Sequence, residues 1–234
     1  MLVVRGLTRS YGSHLVVDGV SFTAEPGSIL AVLGHNGCGK STTMKILAGA
    51  IPATAGMYTV DGHPGSSDHA RRATGYVPDT RGLFPRLTGA EHVELAARVH
   101  GVVVPAHAID DLADRLGLTE VVNLPAAAYS HGQSRRLSMA MALIADPPLL
   151  LVDEPFDGVD LEGVDVITEL LIEARDRGRA VVLTTHLLDA AGVADRIGVF
   201  RGHTLVGPFN TNDLLREHGS LQEAWRGLSQ VTPA

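Results

Sequence analysis

The stretch that most constrains the fold is "GHNGCGKS", residues 34–41, which lies between an apolar segment, "SILAVL", and a helix-forming segment, "KSTTMKILAGAI". It matches the pattern G-x-x-x-x-G-K-[ST], in which glycines let the backbone curl around an anion at the start of a helix. We therefore predict a phosphate-binding loop between a buried strand and a helix. The flanking segments disfavour the alternative, a glycine-rich turn with an incidental lysine.

The chemistry of this loop indicates a nucleotide site. Lys40 would place its ammonium against the β- and γ-phosphates, and Ser41 would offer its hydroxyl to Mg²⁺. The nucleotide-binding residues predicted here are Gly34, His35, Asn36, Gly37, Cys38, Gly39, Lys40, Ser41 and Thr42. Because Cys38 precedes a helix N-terminus, we expect a lowered thiol pKa, and we expect alkylation there to block nucleotide binding.

Strand and helix patterns along the chain predict an α/β fold. The near-continuous apolar runs "LLLVD", "AVVLTT" and "RIGVF" alternate with helical patterns, which is typical of a mostly parallel sheet covered on both faces. The N-terminal part favours an antiparallel β region. We predict a P-loop ATP-binding core at residues 1–84 and 148–234, interrupted by an α-helical subdomain at residues 85–147 that includes a Thr88–Glu91 capping box.

Polar residues follow two of the buried strands. Asp153 and Glu154 end the run "LLLVDE", and neighbouring strand residues point to opposite faces of a sheet. Asp153 is therefore predicted to address Mg²⁺, and Glu154 to orient or deprotonate a water beyond the γ-phosphate. His186 ends "VVLTTH" in the same way, where it could hydrogen-bond the γ-phosphate.

Composition narrows the class of protein. The formal net charge is −7, which disfavours nucleic acid as the main partner. A single cysteine excludes an intrachain disulfide framework and fits a reducing compartment. We see no secretory signal and no apolar run of about 18 residues, so we expect a cytoplasmic protein.

Taken together and in order, seven segments resemble the nucleotide-binding domain of ATP-binding cassette (ABC) transporters over essentially the whole chain. They are "SYG", "GHNGCGKST", "GYVPD", "YSHGQ", "LLLVDE", "PFDGVD" and "TTH". The stretch "GYVPDTRGLFPRLT" and the compact tail look most like bacterial ABC-2-type exporters. The resemblance implies an ATPase subunit that uses ATP and Mg²⁺ to power a separate transmembrane permease, for export, on the inner face of the cell membrane.

The resemblance also implies roles for individual residues. Tyr11 would stack on adenine, Glu154 would be the catalytic base and His186 the switch histidine. Asp160 would communicate across a dimer. The metal ligands would be Ser41, Asp153 and Asp79, where Asp79 replaces the glutamine usual in the family.

The signature segment implies a second cassette, either an identical copy or a paralogue. In the family this segment contacts the nucleotide of the partner, and here it consists of Ser130, His131, Gly132 and Gln133. Ser130 is also predicted to cap a helix whose free N–H groups suit an anion. His131 departs from the usual glycine, and when protonated it would add positive charge near the partner's γ-phosphate.

The sequence disfavours two other functions. A soluble ABC ATPase acting on nucleic acid or ribosomes usually has two cassettes or a long coiled-coil insertion, and this acidic chain has neither feature. An unrelated P-loop protein such as a GTPase would need a guanine-reading N-K-x-D segment, which is absent from the sequence.

Overall fold

The strands of the chain form two sheets in the computed structural model, which describes residues 1–79, 82–188 and 190–230. The strands are β1 (Leu2–Tyr11), β2 (His14–Ala24), β3 (Ser28–Leu33), β4 (Ala55–Val60), β5 (His63–Pro64), β6 (Thr74–Val77), β7 (Leu149–Asp153), β8 (Ala180–Thr185), β9 (Arg196–Arg201) and β10 (Thr204–Asn210). The first sheet has the order β2-β1-β4-β5, and the second has the order β10-β9-β3-β8-β7-β6.

Eight α-helices lie within the described residues. They are α1 (Lys40–Leu47), α2 (Asp68–Arg72), α3 (Gly89–Val99), α4 (Ala106–Arg115), α5 (His131–Leu143), α6 (Leu161–Asp176), α7 (Thr211–His218) and α8 (Leu221–Gln230). Both predicted N-caps are present as full capping boxes, Thr88 with Glu91 on α3 and Ser130 with Gln133 on α5. Within the described residues, no helix combines the length and the apolar character that a membrane crossing requires.

The second sheet brings the predicted site residues to one edge. β3 lies between β8 and β9 and is parallel to both, and β7 is parallel to β8. Every residue of β7 and β8 is buried, which accounts for their uninterrupted apolar sequences. Because parallel strands end at the same edge of a sheet, the loop after β3, the two acids at the end of β7 and the histidine after β8 meet there.

The first sheet is antiparallel, as predicted for the N-terminal part. Leu2 of β1 pairs with Ala24 of β2 on one side and with Val60 of β4 on the other. β4 turns into β5 through Asp61 and Gly62, both of which have positive φ angles. The predicted α/β class with an antiparallel β part is therefore confirmed.

Helix α5 is packed into the same core as the parallel sheet. Leu137 and Met139 of α5 share one buried hydrophobic cluster with Leu150 of β7 and Val181 of β8. The helical segment at residues 85–147 is thus joined to the sheet by apolar packing, which stabilises the position of α5 relative to the site. The division of the chain into a core and a helical subdomain stays a prediction.

Candidate active site

The phosphate loop runs from the end of β3 at Leu33 to the start of α1 at Lys40. Two of its glycines are required by close contacts. A Cβ at Gly34 would lie 2.5 Å from the Cys38 Sγ, and one at Gly39 would lie 2.6 Å from the Val16 carbonyl oxygen. Gly39 also has a φ of 111°, which is unfavourable for residues with a Cβ. The curled backbone therefore depends on glycine at both positions.

Lys40 is buried and makes three contacts within the site. Its Nζ donates to the carbonyl oxygens of Gly34 at 2.7 Å and His35 at 3.3 Å. It also lies 3.1 Å from the Glu154 Oε1 atom, and the Lys40 and Glu154 side chains are only 5% and 13% exposed. Lys40 and the acid predicted as catalytic base thus form a largely buried ion pair.

Asp153 is fully buried between α1 and β8. Its Oδ1 accepts hydrogen bonds from the Ser41 hydroxyl at 3.1 Å and the Thr184 hydroxyl at 2.5 Å. Burial raises the pKa of the Asp153 carboxyl above its usual range, although these two hydrogen bonds act in the opposite direction. The Asp153 Oδ2 atom is buried and, among the described residues, has no hydrogen-bond partner.

The side-chain oxygens of Ser41, Asp79 and Asp153 suit Mg²⁺. This ion prefers hard oxygen ligands and is usually held by one or two carboxylates together with substrate phosphates. The Asp153 Oδ2 and Asp79 Oδ1 atoms are both buried without a hydrogen bond within the described part of the chain. Ser41 and Asp79 line the same cavity. The donor set of Ser41, Asp79 and Asp153 therefore fits a magnesium ion.

Glu154 is held in an unusual backbone conformation. Its φ is 47°, a left-handed value that costs about 1–2 kcal/mol for a residue with a Cβ. The Glu154 N–H donates to both the carbonyl and the hydroxyl of Thr184, each at 3.1 Å, which stabilises this turn. The Glu154 Oε2 atom is 2.9 Å from the His186 Nδ1 and accepts the His186 N–H at 3.2 Å. The base and the switch histidine of the prediction are therefore in direct contact.

Arg135 is a site residue that the sequence did not single out. It is 5% exposed, and its guanidinium donates to the carbonyl oxygens of Pro78 at 2.6 Å and Asp79 at 2.8 Å. Lys45 lies 3.7 Å from the Asp79 carboxylate. Arg135 therefore fixes the segment that carries Asp79, and its only signal in the sequence was its position in the polar stretch "YSHGQSRR".

The expected lowering of the Cys38 pKa is wrong. Burial is the largest influence on this thiol and raises its pKa, while the Lys40 charge and hydrogen bonds from backbone N–H groups lower it by less. A helix N-terminus favours a thiolate only where the sulfur remains solvated. Cys38 is half-buried within the loop, so desolvation outweighs the helix.

A cavity of about 550 Å³ opens above the sheet edge. Its walls bring together most of the predicted site with three residues that the sequence did not indicate, Val16, Arg135 and Asp157. The lining residues are Val16, Asn36, Gly37, Gly39, Lys40, Ser41, Thr42, Asp79, Arg135, Glu154, Asp157 and His186.

Tyr11 does not line this cavity. It is half-exposed at the end of β1, with the Arg9 guanidinium 4.4 Å from its ring centre.

The signature segment lies outside the cavity of its own chain. Ser130 is exposed and caps α5 by accepting the Gln133 N–H at 3.1 Å. The ring of His131 lies against Gly158, where an added Cβ would come within 2.3 Å of it. Asp160 caps α6 by accepting the Gly163 N–H at 2.9 Å. The signature and the segment before α6 therefore form one continuous surface beside the cavity.

A phosphate loop with paired acids and a histidine at one edge of a parallel sheet defines a P-loop ATPase of the ATP-binding cassette class. The family model described as "ABC transporter" matches residues 17–157. An uncharacterized ABC transporter ATP-binding protein of Rhizobium meliloti is 33% identical, over 92% of this chain and 82% of that protein. The Nod factor export ATP-binding protein I of Ralstonia nicotianae is 36% identical to this chain. The aligned region covers 82% of this chain and 61% of that protein.

Solved structures agree with this class. A structure described as the ATP-binding subunit of an ABC transporter has a TM-score of 0.89 and 28% identity, with 98% of this chain and 100% of that chain covered. A dimeric ATP-binding cassette bound to ADP and Pi has a TM-score of 0.82, with 90% and 98% covered, and at 24% identity it shows the fold alone. The chain belongs to the ABC transporter family.

Proposed function

We propose that this chain is the ATP-hydrolysing subunit of a membrane exporter and that two cassettes enclose each ATP between them. The name of the Ralstonia relative supports export, because that protein is an export ATP-binding protein. The permease would be a separate membrane-spanning chain, and the cassette would sit on the inner face of the membrane through it.

The observation that carries the proposal is the position of Ser130. It opens α5, whose first N–H groups lack helical partners and suit an anion, yet it faces solvent outside the cavity of its own chain. Such a surface is suited to a phosphate held by another cassette. We propose that Ser130, His131, Gly132 and Gln133 contact the γ-phosphate bound by a second cassette. The dimeric cassette of similar fold is consistent with this arrangement.

Within one cassette, the proposed roles follow the contacts of the site. Lys40 would leave Glu154 and bind the phosphates, while Ser41, Asp79 and Asp153 would hold Mg²⁺. The bound ion would neutralise charge on the phosphates. Glu154 would orient the attacking water and accept its proton, and its contact with His186 would fix the carboxylate near the γ-phosphate.

Two further roles complete the proposal. Tyr11 would stack on adenine at the outer end of the site, from its exposed position at the end of β1. Asp160 lies on the surface shared with the signature and would communicate between the two sites of a dimer.

The test is the oligomeric state of Glu154→Gln, measured by light scattering with and without Mg-ATP. Removal of the base should trap ATP, so we expect the monomer to become a dimer when Mg-ATP is added. A monomer that binds ATP would contradict a dimer of identical chains. It would require a paralogous cassette or a permease to hold the pair together.

The two capping boxes in the described part of the chain provide a matched control for this experiment. Ser130→Arg and Thr88→Arg, each made in the Glu154→Gln background, both remove a side-chain cap that is typically worth about 1 kcal/mol. We expect similar losses of thermal stability in both variants, but loss of ATP-induced dimerisation only for Ser130→Arg. Equal dimerisation of the two would contradict a role for Ser130 at the interface.

A further inference from the structure

The C-terminal helix α8 makes a direct aromatic contact with the phosphate loop. Trp225, the single tryptophan of the chain, lies with its ring centre 5.4 Å from that of His35, and the ring planes are inclined by 70°. This edge-to-face geometry is favourable between aromatic rings. His35 belongs to the loop, while Trp225 is far away in the sequence, so the contact links two separate parts of the fold.

The position of Trp225 is fixed by the core. Ala224 on the same helix is 2% exposed, and Leu221, Trp225 and Leu228 pack against the hydrophobic cluster that includes Val199 of β9. Their spacing places all four on one face of α8. Because one whole face of α8 is packed on the core, the position of Trp225 is restrained. Its contact with the exposed His35 therefore restrains that residue as well.

His35, the other partner of this contact, is connected to residues of the candidate site. The His35 carbonyl accepts a hydrogen bond from the Lys40 Nζ at 3.3 Å. A second cavity, of about 370 Å³, is lined by Gly34, His35, Asn36, His186, Leu188 and Trp225. Trp225 therefore borders both the first limb of the phosphate loop and the segment that carries the switch histidine.

We propose that Trp225 is a positioning residue for ATP, bracing the limb of the loop at residues 34–36 at a fixed distance from His186. This inference rests on the proposed ATP site and adds a residue that does not itself touch the nucleotide. An edge-to-face ring pair contributes an amount equivalent to about a two- to tenfold change in an equilibrium constant. Loss of the brace therefore raises the Kd and the KM for ATP by about that factor and leaves kcat nearly unchanged.

The experiment compares Trp225→Ala, Trp225→Phe and His35→Ala with the wild-type full chain. ATP binding is measured by equilibrium dialysis with labelled ATP, and KM and kcat are taken from the basal ATPase activity. Leu228→Ala is the matched control, because it removes apolar packing from the same helix without bordering the cavity beside the loop. Since Trp225 is the single tryptophan, its emission during ATP titration of the wild type provides an independent signal.

We expect a raised Kd for Trp225→Ala and for His35→Ala, recovery in Trp225→Phe, and a lowered Tm but normal Kd for Leu228→Ala. The wild-type emission should change with the same ATP dependence as dialysis. An unchanged Kd in both alanine variants would overturn the proposal, as would an equal rise in Leu228→Ala. Wild-type chain that fails to bind ATP would instead overturn the proposed function itself.

Discussion

The ion pair between Lys40 and Glu154 predicts that Glu154, the proposed catalytic base, competes with ATP for the lysine. In the proposed site the Lys40 ammonium binds the ATP phosphates, so ATP binding would break this pair. Glu154→Gln removes the negative charge but keeps the size of the side chain. We therefore expect Glu154→Gln to bind ATP more tightly than wild type even when hydrolysis and dimer formation are prevented.

The magnitude follows from the geometry of the pair. At 3.1 Å and an effective dielectric constant of about 20, the direct attraction is about 5 kcal/mol, most of which is offset by the desolvation of both charges. Exposed pairs contribute about 0–1 kcal/mol, and breaking a fully buried pair costs about 3–5 kcal/mol. Because the two side chains are 5% and 13% exposed, we expect that breaking this pair costs ATP binding about 2 kcal/mol. Glu154→Gln should therefore have a Kd for ATP roughly thirtyfold lower than wild type.

The assay is equilibrium dialysis of labelled ATP in EDTA, where neither hydrolysis nor a Mg-dependent dimer contributes. Asp157→Asn is the control. Asp157 lines the same cavity, and among the described residues no ion pair joins it to Lys40. The change in Kd on removing the Asp157 charge measures the general repulsion between the cavity and the phosphates. The difference in Kd between the two variants therefore measures the effect of the Lys40–Glu154 ion pair alone.

Glu154→Gln that binds ATP with the wild-type Kd, or more weakly, would refute competition between Glu154 and ATP for Lys40. An equal tightening in Asp157→Asn would also refute it, because the effect would then be general repulsion and not competition for Lys40.

Two other predictions follow from the site. Burial raises the pKa of the Asp153 carboxyl, so its ionisation opposes folding of the nucleotide-free chain at every pH above the ordinary aspartate range. We therefore expect Asp153→Asn to have a free energy of unfolding about 0.5–2 kcal/mol higher than wild type, measured by urea unfolding at pH 7 in EDTA. The same variant should be inactive as a Mg-dependent ATPase. Lower stability of this variant would contradict the prediction. The raised pKa of Cys38 predicts slow iodoacetamide labelling at neutral pH, a labelling midpoint above that of an ordinary thiol, and protection by ATP, all measurable by mass spectrometry. A midpoint below the ordinary value would refute it.

The parts of the fold that the sequence predicted are those with local causes. The phosphate loop follows from glycines and a lysine at fixed spacing, and both capping boxes follow from a side chain three residues away. The uninterrupted apolar runs of β7 and β8 indicated a parallel sheet because both faces of those strands are covered. Each signal is contained within about ten residues, where periodicity and spacing are informative.

The parts that it did not predict depend on groups distant in the sequence. Arg135 binds carbonyl groups 56 and 57 residues away, and Trp225 reaches His35 across most of the chain. No local pattern encodes either contact. The error at Cys38 has the same origin, since the helix N-terminus is visible in the sequence but the desolvation of the thiol is created by tertiary packing.

The strand order of the second sheet also has a consequence for biosynthesis. β3, which ends at the phosphate loop, forms its backbone hydrogen bonds with β8 and β9, whose residues are added roughly 150 residues later. At about 5–20 residues per second, the ribosome would leave this apolar strand without partners for about eight to thirty seconds. A nascent chain that stops before Ala180 would therefore contain the whole phosphate loop and still lack both strands that pair with β3. The residues of the loop are made early, but the strand that carries them can pair only after β8 has been made.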